Sequence, residues 1–125
     1  MAFEDSAIGM AIEGLDGRWL QVNPTLCLML GYTSGELLTM SYQDVCLPED
    51  LEDSSYLESL NNGTVRKVMR ECRYRRADGT TISVRVHVGV IHDGAAAQFY
   101  AIQIEDITAR KAAEAKLVHQ AEHDE

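Results

Sequence analysis

At 125 residues the chain is long enough for one domain with a modest core, followed by a tail. A formal net charge of −9 argues against nucleic-acid binding, which needs clustered Lys and Arg, and against docking on an anionic membrane. No apolar run approaches the roughly 18 residues that span a bilayer, and no signal peptide opens the chain, so the expected compartment is the cytoplasm.

Taken in order, Phe3 to Ser6 form a short helical turn and residues 8–13 a strand. Gly14-Leu15-Asp16-Gly17 turns the chain through an Asp-Gly pair, and residues 18–22 return as the second strand of a hairpin. Asn23-Pro24 then starts a helix, with Asn as cap and Pro where its missing N–H costs nothing; Gly31 stops it. Ser34 opens a second short helix, and residues 40–50 read as irregular. Pro48-Glu49-Asp50 leads into a helix over residues 50–62, with Leu51, Tyr56, Leu57 and Leu60 on one face and Asn61-Asn62-Gly63 closing it.

Three strand runs follow, at residues 67–76, 80–91 and 98–105, with Asp78-Gly79 and Asp93-Gly94 at the turns. From Ala109 a helix-forming segment takes over, with Asp106 and Thr108 suited to cap its start. Ala109, Ala113, Leu117 and Ala121 give it one thin apolar stripe, the mark of a helix that pairs with another chain or leads elsewhere. The last residues carry no stop signal, so the chain reads as cut inside a longer protein.

Strands joined through a cluster of helices specify an α+β domain: a five-stranded antiparallel sheet with short helices on one face, a pocket between them, and a C-terminal exit helix. Ile82, Val84, Val86, Val88 and Val90 alternate with Ser83, Arg85, His87 and Gly89, so the former set faces the helices. In the last strand both faces carry apolar groups. Phe99, Ala101 and Gln103 are assigned to the pocket with Tyr56, Leu60, Val84, Val86 and Val88. Tyr100, Ile102 and Ile104 are assigned to an outer face covered by the exit helix, a leading helix or a second subunit. Cys27, Cys46 and Cys72 are odd in number and widely spaced, which fits reduced thiols and neither a disulfide framework nor a zinc site. No Ser-His-Asp ordering, P-loop or His-x-x-x-His motif supports catalysis in these residues.

The sequence resembles a bacterial PAS sensor domain of the S-box type over nearly all its length. The matching fragments are Ile8-Gly9-Met10-Ala11, Leu15-Asp16-Gly17, Val22-Asn23-Pro24, Leu30-Gly31-Tyr32, Glu36-Leu37 and Pro48-Glu49-Asp50-Leu51, then Arg73-Tyr74, Ala77-Asp78-Gly79 and Glu105-Asp106-Ile107-Thr108. Lys111-Ala112-Ala113-Glu114, Leu117 and Ala121-Glu122-His123-Asp124 resemble the linker before a GGDEF diguanylate-cyclase domain, a linker start also seen before histidine kinases. The resemblance implies a PAS domain over residues 1–108 and a helical linker over 109–125 towards an output domain. It implies a homodimeric sensory module of cyclic di-GMP signalling, not itself an enzyme, that signals through Asp106, Ile107 and Thr108. The alternatives are a ligand-free interaction module or the sensor input of a histidine kinase.

Haem is disfavoured because the helix at 50–62 lacks the His that haem-binding relatives use, and covalent flavin because Glu49-Asp50-Leu51 stands where light-sensing relatives carry Asn-Cys-Arg. Val84 also replaces their central-strand Asn, although Gln103 matches a flavin-contacting Gln. The sequence leaves three occupants open: a non-covalent flavin, a small apolar or weakly polar ligand with Gln103 as its handle, or a core filled by its own side chains.

Overall fold

The computed structural model describes residues 2–51, 60–63, 65–94 and 96–123. In chain order the elements are α1 (Ala2–Asp5), β1 (Gly9–Gly14), β2 (Trp19–Val22), α2 (Pro24–Leu30), α3 (Ser34–Leu37) and α4 (Tyr42–Val45). A 3-10 turn at Pro48–Asp50 precedes β3 (Lys67–Arg75), β4 (Thr81–Asp93), β5 (Ala96–Asp106) and α5 (Thr108–His123). The strands form one antiparallel sheet in the order β2-β1-β5-β4-β3, so the N-terminal hairpin joins the trio through the last strand. Most of the helix expected over 50–62 lies outside the described residues.

Side-chain chemistry at the element ends explains the boundaries. Asn23 caps α2, and Gly31 ends it at φ +80, a left-handed conformation that glycine adopts without a Cβ clash. Thr33 and Glu36 exchange the two bonds of a capping box at α3. Residues 40–50, expected to be irregular, contain the single turn α4; the carboxyl of Asp44 accepts from the Ser41 N–H at 2.8 Å and secures its start. The Ser41-x-x-Asp44 spacing is the sequence signal for that turn.

The helices lie on one face of the sheet. Ile82, Val84, Val86 and Val88 point into the core from β4 and meet Leu26, Leu30, Leu37 and Val45. On β5 the expected facing is inverted. Tyr100, Ile102 and Ile104 are buried in the core, while Phe99, Ala101 and Gln103 are exposed on the outer face. The register is the cause: Val90, Val88 and Val86 stand directly opposite Tyr100, Ile102 and Ile104, and directly opposed residues share a face. On β1 the small residues face inward. A Cβ on Gly9 would stand 3.1 Å from the Ile104 carbonyl oxygen and 3.2 Å from Leu26 Cδ1, because α2 packs closely there.

Asn23 ties these parts together. Its Oδ1 accepts from the Met10 N–H at 2.9 Å and the Leu26 N–H at 3.0 Å. Its Nδ2 donates to the carbonyls of Phe3 at 2.9 Å and Ile8 at 3.0 Å. Asn23→Ala removes all four bonds in a fully buried place and is expected to cost about 3 kcal/mol. Urea unfolding monitored by Trp19 fluorescence checks this; a loss below about 1 kcal/mol, the value of an ordinary cap, would mean that water or rearrangement replaces the network.

Candidate functional site

A cavity of about 220 Å³ lies between the sheet and the segment around α4. Its volume is that of about seven liquid waters, and below the roughly 300–1,000 Å³ of pockets that hold drug-sized ligands. Val86, Val88, Tyr100 and Ile102 form an apolar floor; Tyr42, Cys46 and Leu51 face it, and Glu13, Arg70, Cys72 and Tyr74 stand in its walls. The Tyr100 hydroxyl leaves the floor to reach Asn61 Oδ1 at 3.0 Å.

The pocket residues expected from the sequence separate into three groups. Val86 and Val88 line the cavity, while Val84 and Leu60 are buried in the core without standing among its lining residues. Phe99, Ala101 and Gln103 are on the opposite side of the sheet, so the amide of Gln103 cannot serve as a handle in the cavity. Tyr56 lies outside the described residues. Tyr100 and Ile102, expected on the outer face, are floor residues.

Glu13 and Arg70 were not singled out by sequence reasoning. Glu13 is 5% exposed, and its Oε2 accepts from the Trp19 indole Nε1 at 3.1 Å. Burial pushes its carboxyl up to about 7, against which the indole hydrogen bond favours ionisation. The sequence signal was a charged residue sharing an alternating face with Gly9 and Ala11, opposite a Trp on the next strand. Arg70 donates to the Asp50 carbonyl. Arg73 holds Asp50 through Nε at 3.1 Å and Nη2 at 3.0 Å, and this guanidinium keeps the Asp50 carboxyl below its usual range. Cys46 and Cys72 stand together in the cavity wall, and the influence of each thiol on the other pulls Cys46 down and pushes Cys72 up, with burial adding to the latter.

No His stands among the described lining residues; His87 is on the half-exposed outer side of β4 and His92 is exposed. The described lining therefore offers haem no imidazole ligand.

The junction expected to carry a signal is assembled. The Asp106 carboxyl accepts from the Thr108 N–H at 2.9 Å, and Thr108 Oγ1 accepts from the Ser83 N–H at 2.9 Å. The Ile107 N–H donates to the Ser83 carbonyl at 2.9 Å, with the Ile107 side chain buried. Lys111 and Arg110 then pair with Glu71 and Glu105 at 3.0 and 3.4 Å.

A protein-family model described as PAS domain matches residues 7–109. The chain is 37% identical over 115 residues to the Probable diguanylate cyclase DgcE of Escherichia coli (strain K12), a match covering 90% of this chain and 10% of that protein. The chain thus spans about a tenth of that relative's length. Among solved structures it is similar to the PAS domain of an HTR-like protein from Haloarcula marismortui, with a TM-score of 0.69, 32% identity, and 85% and 86% of the two chains covered. A PAS domain from a two-component sensor histidine kinase aligns with a TM-score of 0.71 at 21% identity, covering 82% of this chain and 87% of that one. The latter shares the fold.

The raised Glu13 pKa gives this group a pH-dependent contribution to stability. Between about pH 4.5 and 7 the native state keeps a proton that the unfolded chain has released, so the Glu13 contribution is full below 4.5 and is lost as pH rises through 7. The fall is about 3 kcal/mol, and Glu13→Gln, which keeps an acceptor for Trp19, is expected to remove it. Urea unfolding of both proteins at pH 5 and pH 8 tests this. The variant is expected to gain on the parent at the higher pH; an unchanged gap would mean that Glu13 ionises freely.

Proposed function

The chain belongs to the PAS domain family, and from that premise we propose that it is a cytoplasmic sensory and dimerisation module regulating a C-terminal diguanylate cyclase domain. The observation that carries this reading is the junction. The two strands that supply the cavity floor meet α5 at one edge of the sheet: Ser83, near the start of β4, and Asp106, the last residue of β5, are both bonded to the first turn of α5. A ligand that favours one arrangement of the floor would bias the direction in which that helix leaves. The 37% identity to DgcE supports a cyclase as the output, as does the resemblance of the tail to linkers that precede GGDEF domains. Catalysis would then reside outside these residues, and the cavity would take a small molecule with an apolar body and one polar end near Glu13.

Dimerisation rests on other residues than the sequence suggested. Phe99 and Ile91 are direct cross-strand partners on the outer face and are 37% and 40% exposed, with Met69 also exposed there. Leu117 on α5 is exposed as well, which suits a helix paired with its counterpart in a second copy.

Two measurements test the proposal. In the full-length protein, Asp106→Ala removes an exposed cap at a cost of about 1 kcal/mol, so the domain remains folded. Cyclic di-GMP synthesis is expected to change in basal level or in its response; unchanged output in both respects would refute the junction's role. Phe99→Asp places a charge in the outer apolar patch, and light scattering is expected to show the dimer mass falling to the monomer mass. A dimer that survives would move the interface elsewhere.

A further inference from the structure

Cys46 and Cys72 are unused by the capping and junction chemistry, yet both reach the same cavity wall from different elements. We infer that they form an oxidation site: a hydroperoxide entering the cavity converts the two thiols into an intramolecular disulfide joining the segment after α4 to β3.

The placement follows from the backbone. Cys46 forms an isolated antiparallel bridge with Tyr74, and the Leu47 N–H donates to the Arg73 carbonyl at 3.0 Å. Cys72 lies two residues before Tyr74 on β3 and therefore on the same face, which brings its thiol diagonally onto that of Cys46. A disulfide needs its sulfurs about 2.05 Å apart, closer than two unbonded thiols, so one side has to move. Strand β3 is held along its whole length by β4, whereas the segment after α4 meets β3 through one backbone bridge at Cys46 and, four residues on, through the bonds of Asp50 to Arg70 and Arg73. That segment is the side that shifts, at Cys46.

The surroundings also choose the attacking sulfur. The neighbouring Cys72 thiol and the positive charges of Arg70 and Arg73 favour a thiolate at Cys46, against burial and the Asp50 charge. Cys27, on α2, has the opposite setting: burial and the Glu4 charge disfavour its thiolate. The Cys46 thiolate attacks one peroxide oxygen; an S–O bond forms, the O–O bond breaks, and the departing oxygen leaves as water after taking up a proton. The Cys72 sulfur then attacks Cys46; the S–S bond forms, the S–O bond breaks, and the second water carries off the Cys72 proton. Two thiols and one hydrogen peroxide give one disulfide and two waters. Because both sulfurs stand in the cavity wall, the bond narrows the cavity and fixes the segment that carries Asp50.

The test treats the reduced chain with equimolar hydrogen peroxide, alkylates the remaining thiols after unfolding, and digests at glutamate, since Glu36 separates Cys27 from Cys46. Mass spectrometry is expected to find a Cys46–Cys72 linked peptide pair within single chains, formed on the order of tenfold faster than any oxidation at Cys27. In Cys72→Ser, dimedone is expected to label Cys46, the trapped sulfenic acid. Equal reaction at Cys27, a link between chains, over-oxidation of Cys46 without a disulfide, or no reaction at either cysteine would each overturn the inference.

Discussion

The fold depends on a single side-chain amide. Asn23 is buried where α1, β1, β2 and α2 converge, and it has two acceptor sites and two donor hydrogens to satisfy. All four are used, on Met10, Leu26, Phe3 and Ile8. Its backbone adds a fifth tie, its N–H to the Met10 carbonyl at 3.0 Å. The amide orientation is forced, because two backbone N–H groups require an oxygen on one side and two carbonyls a nitrogen on the other. The angle between the hairpin and α2 is thereby set. That angle presses α2 onto β1 and leaves only Gly9 and Ala11 beneath it.

Much of this was legible in the sequence, because the signals were local. Asn23-Pro24 and Gly31 mark a helix through backbone requirements that no tertiary contact overrides, and the Val-rich alternation of β4 fixes its facing. The last strand failed for a definite reason. With Phe99 and Ala101 on one face and Tyr100, Ile102 and Ile104 on the other, alternation gives no preference, and register alone decides. Glu13 was missed for a related reason. A carboxylate is expected on a solvent face, and its burial depends on Trp19, a neighbour brought close by pairing across the hairpin turn.

The same packing accounts for the cavity. Where α2 lies against β1 the inward residues are small and the contact is close. Beyond α2 the described wall is made by the single turn α4 and the segment that follows it, facing the floor at Val86, Val88 and Ile102. The electrostatics there are asymmetric. Asp50 is ionised and doubly held by Arg73 at one rim, whereas Glu13 has only the indole within the described residues and burial works against its charge. If the cavity takes a ligand, as proposed, ligands would be distinguished by what they offer Glu13, since an unmet buried carboxyl costs more than a met one gains.

The exit helix is held mainly at its start. Its apolar stripe is thin and Leu117 stands 65% exposed, so among the described side chains burial does not hold its direction. The direction is set in the first turn by Ser83, Asp106 and Thr108, with Ile107 buried as the pivot. The ion pairs of Lys111 and Arg110 are partly exposed and each contributes at most about 1 kcal/mol. Val84 stands opposite Asp106 in the β4–β5 register, and Val86 of the cavity floor is the next inward residue on β4. The cavity floor and the residues that bond the start of the helix are thus neighbours on β4, and the proposed signalling route rests on that adjacency.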